Sequence, residues 1–319
     1  MFKKIILQKT LLLLLALFLL PLANISWSKP SERIEIQKVT DNVYALVGQR
    51  GPMSKWNFGT NATFGVIITS EGVVLIDSGA SDQAARYIHK NIQKITNKPI
   101  VLVINTGSED LRWLGNTYFK SLGAKIITSK TALDDQKQRA DNLLLRLDDY
   151  IFPKFSIGTT DTYASEIFDK IKKLTIGDTT LELHYSGPAY LPGDFYVWLP
   201  KEKIVFSGDI ISTERMLAVS RDSDTASWVT AFEQIETLQP IHVIPGHGHA
   251  TNMTKARKDT YIFLTDLRSA VKNFLAEGGK IENISTLKEY PLSPYERLIG
   301  YEMLLGRNAL HVYMEMEWD

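Results

Sequence analysis

The chain has 319 residues, no cysteine, and 36 basic against 36 acidic side chains, with 44% of its residues hydrophobic. The lack of cysteine excludes disulfides, a cysteine-linked lipid at the N-terminus and every metal site built on thiolate. The charge balance argues against nucleic acid held by bulk electrostatics, and the composition is that of an ordinary globular protein.

Residues 1–28 have the form of an export signal. Lys3, Lys4 and Lys9 make a basic start, Leu11 to Leu20 is an apolar run, and Ser26-Trp27-Ser28 offers small residues for a signal peptidase. A spanning helix needs about 20 apolar residues, so the run is short for one. The expectation is cleavage after Ser28, a periplasmic location and no integral membrane domain afterwards; an uncleaved anchor is the competing reading. Removing 28 residues from 319 leaves 291, and losing three lysines leaves 33 basic against 36 acidic groups, a net charge of −3. That is enough chain for one layered domain with a large core.

The mature part opens with two short strands, Ile34 to Val39 and Val43 to Val47, around Thr40-Asp41-Asn42. A polar, glycine-rich loop from Gly48 to Asn61 follows; its Met53 and Trp56 suit either a flap over a site or a loop tucked onto the core. Thr63 to Thr69 and Val73 to Ile76 form a second strand pair ending at Asp77-Ser78-Gly79. Ser81 and Asp82 cap a helix reaching about Ile95, with Ala84, Ala85, Ile88 and Ile92 at helical spacing. The apolar run Val101 to Ile104 is a buried strand, broken by Asn105-Thr106-Gly107-Ser108. Glu109, Asp110 and Arg112 then occupy the turn before a helix beginning near Trp113.

Ala124 to Thr128 is another strand and Thr131 to Asp149 a helix. Residues 150–173, with Pro153 and Gly158, read as a connection or insertion. Two hairpins follow, Leu174 to Ile176 with Thr180 to Tyr185, and Tyr196 to Leu199 with Lys203 to Phe206. The last third holds a helix from Thr225 to Thr237, a strand from His242 to Ile244 and a long helix from Thr254 to Glu277. A final helical segment lies beyond Pro294, and the closing Val312 to Glu317 fits strand or helix alike. Both halves run strands first and then alternate, which suggests an α/β fold of two βα halves packed as helix, sheet, sheet, helix. Residues 29–279 form that domain, and 280–319 are a helical extension packed on it.

Chemistry-bearing side chains stand where strands end. Asp209 follows Ile204 to Gly208, and His247 sits between glycines after Val243-Ile244. A displayed carboxylate with a displayed imidazole begins a divalent-metal site or a general-base pair. The chain also resembles the metallo-β-lactamase fold. The resemblance rests on Val74-Leu-Ile-Asp-Ser-Gly79, Val103-Ile-Asn-Thr106, Gly187-Pro188 with Pro192-Gly-Asp194, Phe206-Ser-Gly-Asp209 and Pro245-Gly-His-Gly248, in that order over about residues 40 to 250. It looks most like periplasmic members of the sulfur-oxidation and quinoprotein-associated branch. The resemblance implies a four-layer αββα sandwich, which in that family usually carries two zinc ions and hydrolyses esters, amides or thioesters.

Carried onto this chain, the motif His-x-His-x-Asp-His falls on Gly107, Glu109, Leu111 and Arg112, and the next histidine place falls on Tyr190. Only Asp209 and His247 keep the ligand type. Zinc needs about four ligands, and a guanidinium keeps its protons where a dication would sit. The resemblance thus implies a pseudoenzyme whose old cleft binds a small anionic ligand or a periplasmic protein partner, with no cofactor or one weakly held divalent metal, zinc if any. Its alternative is a diverged hydrolase using one metal on Glu109, Asp209 and His247, or no metal. A scaffold in a periplasmic complex is a third reading. Arg112 is expected to neutralise Asp209 or receive an anion; Glu109 and Asp110 to pair with Arg112 or be solvated; Tyr190 to fill the vacated space and bond Asp209; His249 to be exposed and idle; and Asp77 and Asp194 to support the turns.

Overall fold

The structure is a computed structural model describing residues 33–151, 156–289 and 293–317; the expected leader lies outside the described residues. The first half builds a seven-stranded sheet in sequence order: β1 (Ile34–Lys38), β2 (Val43–Gly48), β3 (Thr63–Ile68), β4 (Val73–Ile76), β5 (Ile100–Ile104), β6 (Lys125–Ser129) and β7 (Glu166–Phe168). The first four strands pair antiparallel through hairpins, and β4 to β7 run parallel because helices carry the chain back. Those helices are α1 (Asp82–Ile92), the short α2 (Asp110–Trp113) and α3 (Asn116–Ser121), and the long α4 (Lys130–Ile151).

The second half gives a five-stranded sheet ordered β12-β11-β10-β9-β8, from β8 (Ile171–Ile176), β9 (Thr179–His184), β10 (Tyr196–Leu199), β11 (Ile204–Phe206) and β12 (His242–Ile244). Three longer helices belong to it: α5 (Thr225–Thr237), α7 (Ile262–Ala276) and α8 (Tyr301–Glu317). Between α5 and α7 lie the short α6 (Met253–Ala256) and a π turn (Arg257–Tyr261).

Alternation along the strands assigns the layers. In β2, Val43, Ala45 and Val47 enter a cluster shared with Leu183, Val197 and Phe206 of the other sheet, whereas Leu46 joins Ile88 and Ile92 of α1. In β4, Val74 and Ile76 face the second sheet while Val73 and Leu75 face the helices. On the far side Val205 and Val243 pack with Trp228, Phe232, Leu267 and Val312. The result is helix, sheet, sheet, helix, each fully buried aliphatic or aromatic side chain adding roughly 1.5–3 kcal/mol before entropic losses. Ser81 caps α1 by accepting the Ala84 N–H at 3.0 Å, and Asp224 caps α5 by accepting that of Ser227 at 2.8 Å.

Four details differ from the sequence expectation. The helix expected near Trp113 begins at Asp110, breaks at Leu114 and Gly115, and resumes at Asn116. The break falls where Gly115 presses on β4's exit: a Cβ there would lie 2.0 Å from the Ser78 carbonyl oxygen. The segment read as a connection holds β7, which is three residues long and too short to show alternation, yet pairs with β6. The long helix from residue 254 contains the π turn, and it ends at Ala276. The closing segment is helical, because Leu304, Leu305, Asn308, Ala309, Val312 and Tyr313 bury one face at helical spacing. Among the described residues no helix is long and apolar enough to cross a membrane.

Candidate functional site

The centre of the site is a guanidinium. At the end of β5 the Asn105 side chain donates to the Arg112 carbonyl at 2.7 Å and to Asn116 Oδ1 at 3.0 Å, tying the strand to both short helices. One turn of α2 then sends Arg112 inward, where it is 0% exposed. Its Nε donates to Asp209 Oδ2 at 2.8 Å and its Nη2 to Asp209 Oδ1 at 2.5 Å, a two-pronged fork. Nη1 donates to Asp77 Oδ2 at 3.0 Å, and Nη2 also approaches the Gly246 carbonyl at 3.4 Å.

Each carboxylate has its own support. Asp77 leaves β4 in the left-handed region at φ 66°, and it accepts from the Thr106 N–H at 2.8 Å and the Thr106 hydroxyl at 2.9 Å. Burial lifts its pKa to about 6 against the pull of Arg112. Asp209 rides on the single 3₁₀ turn Gly208–Ile210 after β11. Burial opposes its ionisation too, but Arg112 and then His247 override that and hold it well below the ordinary carboxylate range.

His247 lies beside this pair, with Nε2 3.4 Å from Asp209 Oδ1. Its Nδ1 meets Arg215 Nη1 at 3.0 Å and the Asn61 carbonyl at 2.9 Å. Burial, then the charge of Arg215, lowers its pKa to about 4, so the ring is neutral at pH 7. A guanidinium does not release its protons. Nδ1 with its lone pair would accept from Arg215, while Nδ1 carrying the ring hydrogen would donate to the Asn61 carbonyl, which only accepts.

Glu109, Asp209 and His247 offer atoms that all lie within 4.8 Å of one another. Glu109 Oε2 is buried without a hydrogen-bond partner. Burial first, then Asp209 and Asp110, raises its pKa well above the usual carboxylate range. Asp110 is raised by burial and accepts the Leu111 N–H at 2.7 Å. Neither carboxylate bonds Arg112, contrary to the expected pairing, because Asp77 and Asp209 already fill the guanidinium's fork. Asp194 accepts the Leu191 N–H at 2.7 Å, and burial raises it strongly.

Tyr190 also differs from expectation: its half-buried ring tilts against Trp228 at a centroid distance of 6.0 Å, and its hydroxyl makes no bond to Asp209. His249 is not idle, since Glu214 lies 2.9 Å from its Nδ1 and Glu35 3.0 Å from its Nε2.

These residues do not fit the two-zinc arrangement that the resemblance implies. At Gly107 a Cβ would stand 2.4 Å from Asp194 Oδ1, so that ligand place is closed by packing. Leu111 is 2% exposed in the core beneath the first sheet, and Arg112 engages both oxygens of Asp209.

A cavity of about 500 Å³ opens above the centre. Its floor includes Glu109, Asp209 and His247. Its walls come from the loop between β2 and β3 through Arg50 to Met53, from α4 through Arg139, and from α8 through Met303 and Arg307. Trp56 points elsewhere and is 67% exposed. Sequence reasoning missed Arg215 and the cations of α8. Neither belongs to a motif, and only the folded chain brings them to this space.

No family model matches the chain. The metallo-beta-lactamase type 2 of Elizabethkingia meningoseptica is 28% identical over 233 residues, covering 72% of this chain and 84% of that protein. That of Bacteroides fragilis is 21% identical over 249 residues, covering 76% and 90%. The solved metallo-beta-lactamase from Pontibacter korlensis superposes with a TM-score of 0.59 at 20% identity, covering 73% of this chain and 99% of that one. With its two sheets between helical layers and these homologues, the chain is a protein of the metallo-β-lactamase fold.

Proposed function

We propose that this chain is a pseudoenzyme of its fold: a ligand-binding protein whose former metal centre is held together by Arg112. The observation that carries the reading is the buried fork of Arg112 on Asp209, closed by the third bond to Asp77. The guanidinium supplies positive charge to the carboxylates but offers no open coordination position at which water could be activated. Removing one partner of such a buried pair typically costs about 3–5 kcal/mol, so the arrangement is structural as well as electrostatic. Export belongs to the same proposal, supported by Lys3, Lys4 and the leucine run of residues 11–20; a secreted form whose N-terminus is not Lys29 would remove the proposed cleavage site. The hydrolytic side is tested with a chromogenic cephalosporin. Purified protein supplied with zinc is expected to turn it over no faster than buffer, whereas zinc-dependent turnover abolished by a chelator contradicts the proposal.

The closeness of Glu109, Asp209 and His247 favours a second reading, a hydrolase with one divalent metal or none acting on an ester, thioester or amide. Glu109→Gln separates the two, because it removes an ionisable ligand and leaves Arg112 its partners. Loss of bound metal or of a measurable esterase rate in that variant supports the second reading; a parent protein that binds no metal and turns over no ester, thioester or amide eliminates it.

A further inference from the structure

The cavity carries cations that the altered centre does not use. Six arginines border it: Arg50, Arg139, Arg146, Arg215, Arg221 and Arg307. Glu214 holds Arg50 at 2.7 Å, Asp135 and Asp222 hold Arg139 at 2.7 and 2.9 Å, and Arg215 leans on His247. Arg221 and Arg307 are different. Both are exposed, and neither makes a hydrogen bond or ion pair with a described residue. They arrive from separate elements, the β11–α5 connection and α8, and both bear on His311 of α8.

His311 lines the same wall, and its Nδ1 is buried without a hydrogen-bond partner. Burial first, then Arg307 and Arg221 against Asp222, keeps its ring less basic than usual. A buried ring nitrogen without a partner is an unfavourable arrangement for a protein to keep unless something completes it. The neighbouring wall is apolar, with Leu143, Leu217, Trp228, Met303 and Leu304. Trp228 spends its one donor on the Ile210 carbonyl at 2.8 Å, so it offers the cavity no hydrogen bond. Met303 is 62% exposed at the edge.

We infer that the cavity binds an amphipathic organic acid, its acidic oxygens on Arg221, Arg307 and His311 and its apolar body on Met303 and Leu304. Two guanidinium groups with no carboxylate of their own supply charge-assisted donors, and the volume suits a small ligand. The inference rests on the ligand-binding reading above and adds the chemistry of the ligand. A carboxylate and a phosphate monoester share that chemistry.

The test is titration calorimetry of the full chain, dialysed against a chelator, with decanoate, decyl phosphate and decanol, beside the double variant Arg221→Ala/Arg307→Ala. At least one acid is expected to bind about tenfold or more tightly than decanol. The double variant should lose about tenfold in affinity for that acid, keep its affinity for decanol and melt like the parent. Decanol binding as well as both acids, no heat from either acid at millimolar concentration, or undiminished acid binding by the double variant overturns the inference. The two levels separate in a further run without chelator. Acid affinity that appears only there and ignores the double substitution places the acid on a metal and defeats the ligand-binding reading too; affinity that ignores both changes defeats this inference alone.

Discussion

A guanidinium and a dication neutralise carboxylates by different means. The dication takes lone pairs and leaves a place for water; Arg112 gives hydrogen bonds and leaves none. The consequence reaches Glu109, whose ionisation is opposed by burial and by the charge of Asp209. Its pKa in the folded protein lies above the unfolded value, so the native state keeps a proton that the unfolded chain releases. Its contribution to stability is therefore fully present below the unfolded value of 4.5 and is lost as pH rises from there toward the folded value. His247 works the other way: depressed from 6.5 to about 4, it adds stability as pH rises across that interval. That contribution is common to the parent and to Glu109→Gln and cancels in their difference.

The variant is expected to melt near the parent at pH 4.5 and above it at pH 8. A pKa displacement of one pH unit corresponds to about 1.4 kcal/mol, or roughly 2–4 °C for a domain of this size. Scanning calorimetry at the two pH values reads the difference, and a variant that melts below the parent at pH 8 would mean that Glu109 is ionised and held by a cation. At this scale the sequence was informative about identity and silent about partners. The pairing of Arg112 with Asp209 was one of two expectations for that side chain, the other being an anionic ligand. The bond to Asp77 spans 35 positions and has no local signature, and the Tyr190–Asp209 bond was expected because adjacency in a motif does not reveal where a ring points.

At the scale of elements, the site is assembled from strand exits. β4 delivers Asp77, β5 delivers Arg112 through α2, β11 delivers Asp209 and β12 delivers His247. The π turn contributes indirectly: Thr260 donates to the Ser212 carbonyl at 2.6 Å and accepts the Ser212 N–H at 3.0 Å, fixing the segment that carries Arg215 to His247. Gly246 is a tight point after β12. A Cβ there would lie 2.4 Å from the Gly208 carbonyl oxygen and 2.8 Å from Arg112 Nη2. Gly246→Ala is expected to cost about 1–3 kcal/mol in urea unfolding by forcing the guanidinium or the 3₁₀ turn aside; a stability equal to the parent's would show that the fork tolerates displacement.

Most of these elements were legible from strand alternation and helix caps, and α5 and β12 fall where residue pattern alone put them. β7 was not, having three residues, an exposed Ile167 and only Phe168 buried. The break between α2 and α3 was also hidden, since an isolated glycine is tolerated inside a helix and only the distant Ser78 carbonyl places the break at Gly115.

At the scale of the molecule, four layers keep the sheet ends together while the chemistry at those ends changes. The cores on either side of the sheets do not depend on the ligands of a metal, so Leu111 could join one of them and Gly107 could close against Asp194. The layer order was readable from the sequence because strand and helix periodicity report on burial. The cavity was not, because it joins the loop after β2, the face of α4 and the last helix across more than two hundred positions.

That Arg112 stands in for the charge of a metal is the core of the proposed function. Elemental analysis of the protein purified from zinc-replete cells without chelator tests it. Well under one zinc ion per chain is the predicted result; one or more zinc ions per chain, removed only by chelation, would contradict it.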